Sequence, residues 1–275
     1  MRALGRILAA LAGLALFVVT VGPIAWVVVS SLKPGYLIPA APWSLPSTPE
    51  WGNFAKAWGT TGIGSGFVNS LVASLGTLAI LLPIGAMAAY VLSKYRFRGH
   101  GLVFGGFLGG MMFPHLLVIV PLFMLLRDLK GVDTMWGLIV VYVAYSLPFT
   151  VFVLGGFFDA VPDELIEASM MDGCTHASTF WRVMLPLVKP GLAVVGIFAG
   201  IGLWNEYALA KVLLTSQQSF TLPVGLANLT MTQQYEADWG ALFAALVIVM
   251  APVILVYAVF RDRVQQAMTA GALKG

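Results

Sequence analysis

PDELIEASMMDGCTHASTFWRVMLPLVKP, residues 162–190, interrupts a chain that is otherwise strongly apolar. Asp163 and Glu164 stand just behind Pro162, where acids favour a helix N-terminus, and Gly173 is a residue type that commonly ends one. A second short helix is predicted from about Thr175 to Leu185. It should stop before Pro186, because proline disfavours helical geometry in the residue preceding it. Glu164 and Glu167 fall on one face at i, i+3 spacing, while Ala168 and Ser169 are small enough for another surface to approach the backbone. The stretch therefore reads as a charged docking knob. Composition by itself favours a plainer reading, an amphipathic loop resting on a membrane.

Outward from the knob, 59% of residues are hydrophobic and 10% are charged, against about 25% charged in soluble domains. The fold class read from this is all-α integral membrane, a polytopic six-helix chain forming one domain over residues 1–275. Each span needs about 20 apolar residues. The runs that supply them are Ile7 to Leu32, Phe67 to Leu92, Leu102 to Leu126, Met135 to Phe158, Leu192 to Leu214 and Ala241 to Phe260, with the polar region 159–190 between the fourth and fifth. Barrel strands would alternate over about ten residues, and these runs do not. The run after Arg2 and Arg6 is too long for a signal-peptide core and reads as the first span.

With alternating spans, Arg2, Arg6, Lys94, Arg96, Arg98, Arg182, Lys189, Arg261, Arg263 and Lys274 fall on one side. Lys33, Lys56, Arg127 and Lys130 fall on the other. The excess of positive charge marks the cytoplasmic face, which places both termini and the knob there. The net charge of +3 is accounted for by this topology and calls for no nucleic acid. Likewise the loop SKYRFRGH, Ser93 to His100, reads as basic for topological reasons. The lone Cys174 has no partner for an intrachain disulfide.

The segment from Lys33 to Gly66 is rich in Pro, Gly and Trp. Trp43, Trp51 and Trp58 suit either an interfacial anchor or an outer surface for a partner. Gly105, Gly106, Gly109 and Gly110, and again Gly196 and Gly200, put small residues on helix faces where a neighbouring helix can come close.

No lysine follows a glycine, so the phosphate loop G-x-x-x-x-G-K-[ST] is absent and ATP is not bound in that way. The histidines do not pair at metal-ligand spacing, and there is no cysteine cluster, so neither metal nor cofactor is expected on this chain. Glu206 is the costly residue within the spans, at about 2.5–3.5 kcal/mol for a carboxylate at a helix centre. Asn205, Glu206 and Tyr207 either line a polar pathway or serve a structural pairing.

Glu167-Ala168-Ser169, Gly173 and Val183-Met184-Leu185-Pro186 resemble the EAA-x3-G-x9-I-x-L-P signature of permease subunits in binding-protein-dependent ABC importers. NSLVASLGTLAILLPIGAMAAYVLSKYRF from Asn69, FPHLLVIVPLFMLLRDL from Phe113, LWNEYALAKVLL from Leu203, TLPVGLANL from Thr221 and the terminal TAGALKG are similar to the carbohydrate-type permeases, the maltose-transporter MalG branch in particular. Ser169 replaces the usual Ala and Val183 the usual Ile, both small changes of volume.

The resemblance implies a permease in a bacterial or archaeal cell membrane, joined by a second permease subunit, two ATPase subunits carrying ATP and Mg, and an external solute-binding protein that delivers a carbohydrate. Lipid surrounds the assembly, and catalysis lies outside this chain. It further implies that Glu167, Ala168, Ser169, Asp172 and Gly173 seat in a cleft on the ATPase, with Glu164, Leu185 and Pro186 completing that coupling surface. Lys274 and Gly275 in the tail would touch the ATPase too, and Asn205, Glu206 and Tyr207 would lie along the translocation route. The alternatives are an ion-coupled secondary transporter using Glu206, or a permease for a non-sugar solute such as a glycerol-phosphate compound.

Overall fold

The computed structural model describes residues 2–236 and 238–272. Every element among them is helical. In chain order these are α1 (Arg2–Ser31), α2 (Leu37–Ala40), α3 (Gly52–Gly59), α4 (Ile63–Lys94), α5 (His100–Met112), α6 (His115–Asp128) and α7 (Met135–Asp159). The remainder are α8 (Glu164–Met171), α9 (His176–Thr179), α10 (Leu185–Leu187), α11 (Lys189–Trp204), α12 (Ala208–Leu213), α13 (Leu222–Glu236) and α14 (Trp239–Ala272). A π-helical turn, Phe180–Met184, joins α9 to α10. Four helices are long and apolar enough to cross a membrane, and two bent pairs raise the number to as many as six.

Two of the six predicted spans are not continuous helices. The run Leu102 to Leu126 breaks at Phe113 and Pro114, and the two halves meet at 108°. Pro114 lacks an N–H and pushes Phe113 into extended geometry, so α5 ends at Met112 and a new helix starts after the proline. The run Leu192 to Leu214 breaks at Asn205–Tyr207 between α11 and α12. A third expectation also needs correction, because the helical path does not stop before Pro186 but continues to Leu187. Proline removes the hydrogen bond that would reach the Arg182 carbonyl and crowds that carbonyl. The π turn ahead of it, closed by the Leu185 N–H to the Phe180 carbonyl, widens the backbone there.

The chain divides into two compact units, Met1–Phe67 with Leu222–Pro252, and Val68–Thr221 with Val253–Gly275. In the first, the Pro- and Trp-rich segment is tied down by specific bonds. Lys33 is fully buried and its ammonium donates to the Pro42 and Ala41 carbonyls at 2.8 and 3.3 Å. Asn53 donates to the Ser31 and Lys33 carbonyls, both at 2.9 Å, and Trp26 donates to the Pro42 carbonyl at 2.9 Å. Asp238 caps α14 through the Ala241 N–H and pairs with Lys56 at 3.1 Å. Trp43 and Trp51 stay exposed.

In the second unit, Thr134 caps α7 by accepting from the Gly137 N–H, and its hydroxyl donates to the Gly131 carbonyl at 2.7 Å. Gly137 is required there, since a Cβ would lie 2.1 Å from the Gly131 oxygen. The loop entering α7 is pinned again by Asp133, whose carboxylate accepts from the Thr215 and Ser216 N–H groups at 3.0 Å and from the Ser216 hydroxyl at 3.1 Å. The two glycine faces behave differently. Gly196 and Gly200 receive Leu82 and Leu78 of α4, whereas Gly105, Gly106 and Gly109 meet nothing within 4 Å among the described residues.

Candidate functional site

The polar stretch folds as the expected pair of short helices. α8 carries Glu164 and Glu167 in its first turn, where acid complements the positive end of the helix dipole. It closes in a Schellman motif, with Gly173 at φ 83°, its N–H on the Met170 carbonyl and the Cys174 N–H on the Ser169 carbonyl, both at 3.0 Å. Thr175 then caps α9 by accepting from the Ser178 N–H at 3.3 Å. The sharp reversal between the two helices is thus built from three consecutive features of the sequence: a left-handed glycine, a short link and a capping threonine.

Glu164, Glu167, Ala168, Asp172 and Gly173 are exposed together, as expected of a docking face. Ser169 is not among them. It is buried, donating to the Ile166 carbonyl at 2.7 Å, so the hydroxyl of the fully buried Thr179, 2.8 Å away, donates to it in turn. The sequence reading placed Ser169 on the contact surface, whereas the structure makes it the pin between the two helices. Leu185 is half-buried against the core and Pro186 is exposed. Two further residues of α8 stand exposed beside them, Met171 at 88% and Leu165, neither of them singled out in the sequence. An apolar residue left in water on an otherwise acidic helix is the signal that could have flagged them. Lys274 and Gly275 lie outside the described residues.

The knob stands on a packed base. Phe180 and Met184 of the π turn pack with Tyr90 of α4 and with Leu154 and Phe158 of α7 in one buried cluster. Lys94, its side chain only 5% exposed, donates to the Val161 carbonyl and the Asp163 carboxylate, each at 2.6 Å. Its ammonium is thereby satisfied where water is scarce, while Asp163 stays mostly solvated, so loss of the lysine should cost more than loss of the acid. A third attachment runs from Tyr90 to Tyr95 to His176 Nδ1, both steps at 3.0 Å. The helical path from His176 to Leu187 then turns by 73° into α11. The knob is thus attached to α4 and α7 and runs on into α11.

At the other end of α11 lies a cleft of about 750 Å3. Asn205, Glu206 and Tyr207 all line it, together with the rings of Tyr145, Phe149 and Phe198. The Glu206 carboxylate accepts from the Tyr142 hydroxyl at 2.7 Å and from the Leu209 and Ala210 N–H groups at 2.7 and 3.0 Å. It thus satisfies the first turn of α12, which the break in the span would otherwise leave without acceptors. Irregular backbone at membrane depth is tolerated where it is buried in protein or lines a cavity, and this break does line one. One side chain thus both caps the broken helix and lines the cleft.

Residues 81–270 match the family described as binding-protein-dependent transport system inner membrane component. The chain is 40% identical over 257 residues to the diacetylchitobiose uptake system permease protein NgcG of Streptomyces coelicolor, covering 94% of this chain and 85% of that one. It is 34% identical over 253 residues to the trehalose transport system permease protein SugB of Mycobacterium tuberculosis, covering 92% of each. Its fold is similar to that of a chain in a bacterial ABC transporter involved in the import of the acidic polysaccharide alginate, with a TM-score of 0.80 at 24% identity over 95% of this chain and 96% of that one. An all-helical chain with up to six candidate spans and a capped two-helix knob thus belongs to the family of binding-protein-dependent transport system inner membrane components, multi-pass permeases of ABC importers.

Proposed function

We propose that this chain is the permease through which an ATP-driven importer moves a sugar or oligosaccharide, received from an external solute-binding protein, into the cytoplasm. The observation that carries the sugar assignment is the likeness along nearly the whole chain to permeases named for diacetylchitobiose and trehalose uptake. The cleft supports it. A sugar presents alternating apolar faces and hydroxyls, and the cleft offers aromatic rings beside a carboxylate and the amide of Asn205. On this reading Asn205, Glu206 and Tyr207 lie on the translocation route.

The exposed face of α8, with Glu164, Glu167, Ala168, Met171 and Asp172, seats on a separate ATPase that binds ATP and Mg. Leu185 holds the second half of the knob against the spans, and Pro186 beside it stays exposed toward the ATPase. Closure of the ATPase pair would push the knob, and its three attachments would carry that movement to α4, α7 and α11 as one of two discrete arrangements. The distribution of basic residues supports a cytoplasmic position for the knob and both termini. A second permease subunit completes the pore.

Uptake by proteoliposomes holding the whole complex and its binding protein tests the proposal. Accumulation of a chitobiose- or trehalose-type sugar should require ATP on the knob side and survive a protonophore. Uptake that persists without ATP and collapses with the protonophore would identify an ion-coupled carrier instead.

A further inference from the structure

Beside the base of the knob is a second cavity, of about 220 Å3, that shares no lining residue with the cleft. It is smaller than the roughly 300–1,000 Å3 of pockets that enclose a drug-sized ligand, so a sugar is a poor candidate for it. Its polar lining comes from Ser93 in the last turn of α4, Arg96 just after it, His100 at the start of α5 and Asp159 at the end of α7, with the ring of Phe104 among its apolar walls.

Opposite charges share this small space without pairing. Arg96 and Asp159 both line it, yet among the described residues Arg96 makes no ion pair. The adjacent cation, Lys94, is fully engaged by Val161 and Asp163, so Arg96 is not needed to hold the knob. One oxygen of Asp159 accepts from the Ser93 hydroxyl, which fixes the carboxylate at the cavity wall.

The start of α5 completes the Arg96 side. His100 Nε2 lies 2.7 Å from the Leu92 carbonyl, so that nitrogen carries the hydrogen and the ring ties the start of α5 to the end of α4. The ring is held by Phe97 and by stacking on Phe104. Gly99, in the capping position of α5, brings no side chain, so the positive end of this 13-residue helix beside the cavity lacks a side-chain cap, and of its first N–H groups that of His100 is held by the Phe97 carbonyl at 3.1 Å. The neighbouring surface is apolar and open: Leu102 is 84% exposed, and Phe97 and Val103 are exposed too. A headgroup held in the cavity could therefore leave its chains in hydrocarbon.

A cavity lined by one cationic and one anionic side chain that make no ion pair with each other fits a small zwitterion. Inorganic phosphate would meet Asp159 as a like charge. A choline phosphate would offer that carboxylate a quaternary ammonium with no hydrogen to donate. A primary ammonium attached to a phosphate satisfies both walls.

We propose that this cavity binds an aminoethyl-phosphate group, with the phosphate at Arg96 and the His100 end of α5 and the ammonium at Asp159. Two sources carry that chemistry, the headgroup of phosphatidylethanolamine in the bilayer and free phosphoethanolamine. Bound there, the group bridges α4, α5 and α7 directly beside the Lys94 attachment of the knob.

Native mass spectrometry of the full chain in its complex, released from nanodiscs of equal phosphatidylethanolamine and phosphatidylcholine, tests this. The wild type should retain the ethanolamine lipid over the choline lipid by about tenfold, the ratio that about 1.4 kcal/mol supplies. Asp159→Asn should bring that ratio to near unity while phospholipid is still retained, and Arg96→Gln should lose retention of both. Arg98→Gln, a neighbouring charge that does not line the cavity, should change nothing. Free phosphoethanolamine, added at millimolar concentration to delipidated complex, separates the sources: Asp159-dependent binding of it assigns the soluble compound, and its failure to bind while the lipid is retained assigns the headgroup. Equal retention of the two lipids by the wild type, with no binding of the free compound, overturns the proposal whether or not the variants fold. So does an ethanolamine preference that Asp159→Asn leaves intact.

Discussion

Exchange of Glu206 for glutamine keeps the shape of the side chain and removes its charge. Three donors converge on the carboxylate, and the amide oxygen of glutamine can remain on the Leu209 N–H. The amide nitrogen then faces the Tyr142 hydroxyl and the Ala210 N–H. The hydroxyl can turn to accept from it, but the backbone N–H cannot. One orphaned helical donor costs about 1–3 kcal/mol, and loss of a negative charge at a helix N-terminus costs about 0.3–1 kcal/mol more. Glu206→Gln should therefore destabilise the chain by about 1–4 kcal/mol. Tyr142→Phe removes one hydrogen bond to a charged group and should cost about 1.5–3 kcal/mol.

The two side chains bond each other, so the double variant should be less destabilised than the sum, by about 0.5–3 kcal/mol. Equilibrium unfolding of the reconstituted chain by detergent titration reads all three values. Effects that add to within about 0.3–0.5 kcal/mol would show that Tyr142 and Glu206 act independently, and the capping account of the break would fail. In transport assays Glu206→Gln should change rate or selectivity more than it changes assembly. Loss of the complex from the membrane would leave the residue a structural cap alone.

Gly173→Val places a β-branched residue at φ 83°, costs at least about 1–2 kcal/mol, and should uncouple ATP hydrolysis from uptake while the chain still reaches the membrane. Lys130 occupies the same left-handed position at the end of α6, at φ 57°, so Lys130→Gly should raise stability by about 1 kcal/mol in the same unfolding assay. Burial pushes the Asp133 carboxyl upward, but the Ser216 and Thr215 N–H groups and the serine hydroxyls outweigh it, so its acidity lies below the ordinary carboxylate range. A depressed folded-state value means that the stabilisation is complete above the unfolded carboxyl range near about 3.9 and fades as pH falls through the folded value. The thermal midpoint of the wild type should accordingly exceed that of Asp133→Asn by a constant margin above about pH 5, and the margin should shrink below about pH 4.

The parts of the fold that were legible in the sequence are those fixed by local chemistry. The knob could be read from acids behind Pro162 and a glycine at the end of the first helix, because each acts within a turn or two of its own position. The broken span at Glu206 could not be read that way. Its apolar run is continuous, and the hydroxyl that helps satisfy the carboxylate comes from Tyr142, 64 residues earlier. Hydropathy also hid the break at Pro114, although the proline itself was a local cue that a 13-residue helix could end there.

Ser169 was misplaced for a similar reason. Its small size is compatible with either face, and only its i, i+3 relation to the inward-facing Ile166 pointed to burial. The end of α6 misleads in the opposite direction, since Gly131 sits one residue beyond the left-handed position that Lys130 takes. The basic loop after α4 read as topology alone, because its relation to Asp159 arises only when α4 and α7 pack together.

The central claim is that the exposed face of α8 plugs into a separate ATP-driven motor. Glu167→Lys reverses the charge at the middle of that face, and Glu167 makes no hydrogen bond or ion pair through its side chain among the described residues, so folding should survive. In proteoliposomes holding the full complex, binding-protein-stimulated ATP hydrolysis and sugar uptake should both be lost while the variant remains in the membrane at the wild-type level. Stimulated hydrolysis and uptake at wild-type rates would contradict the account.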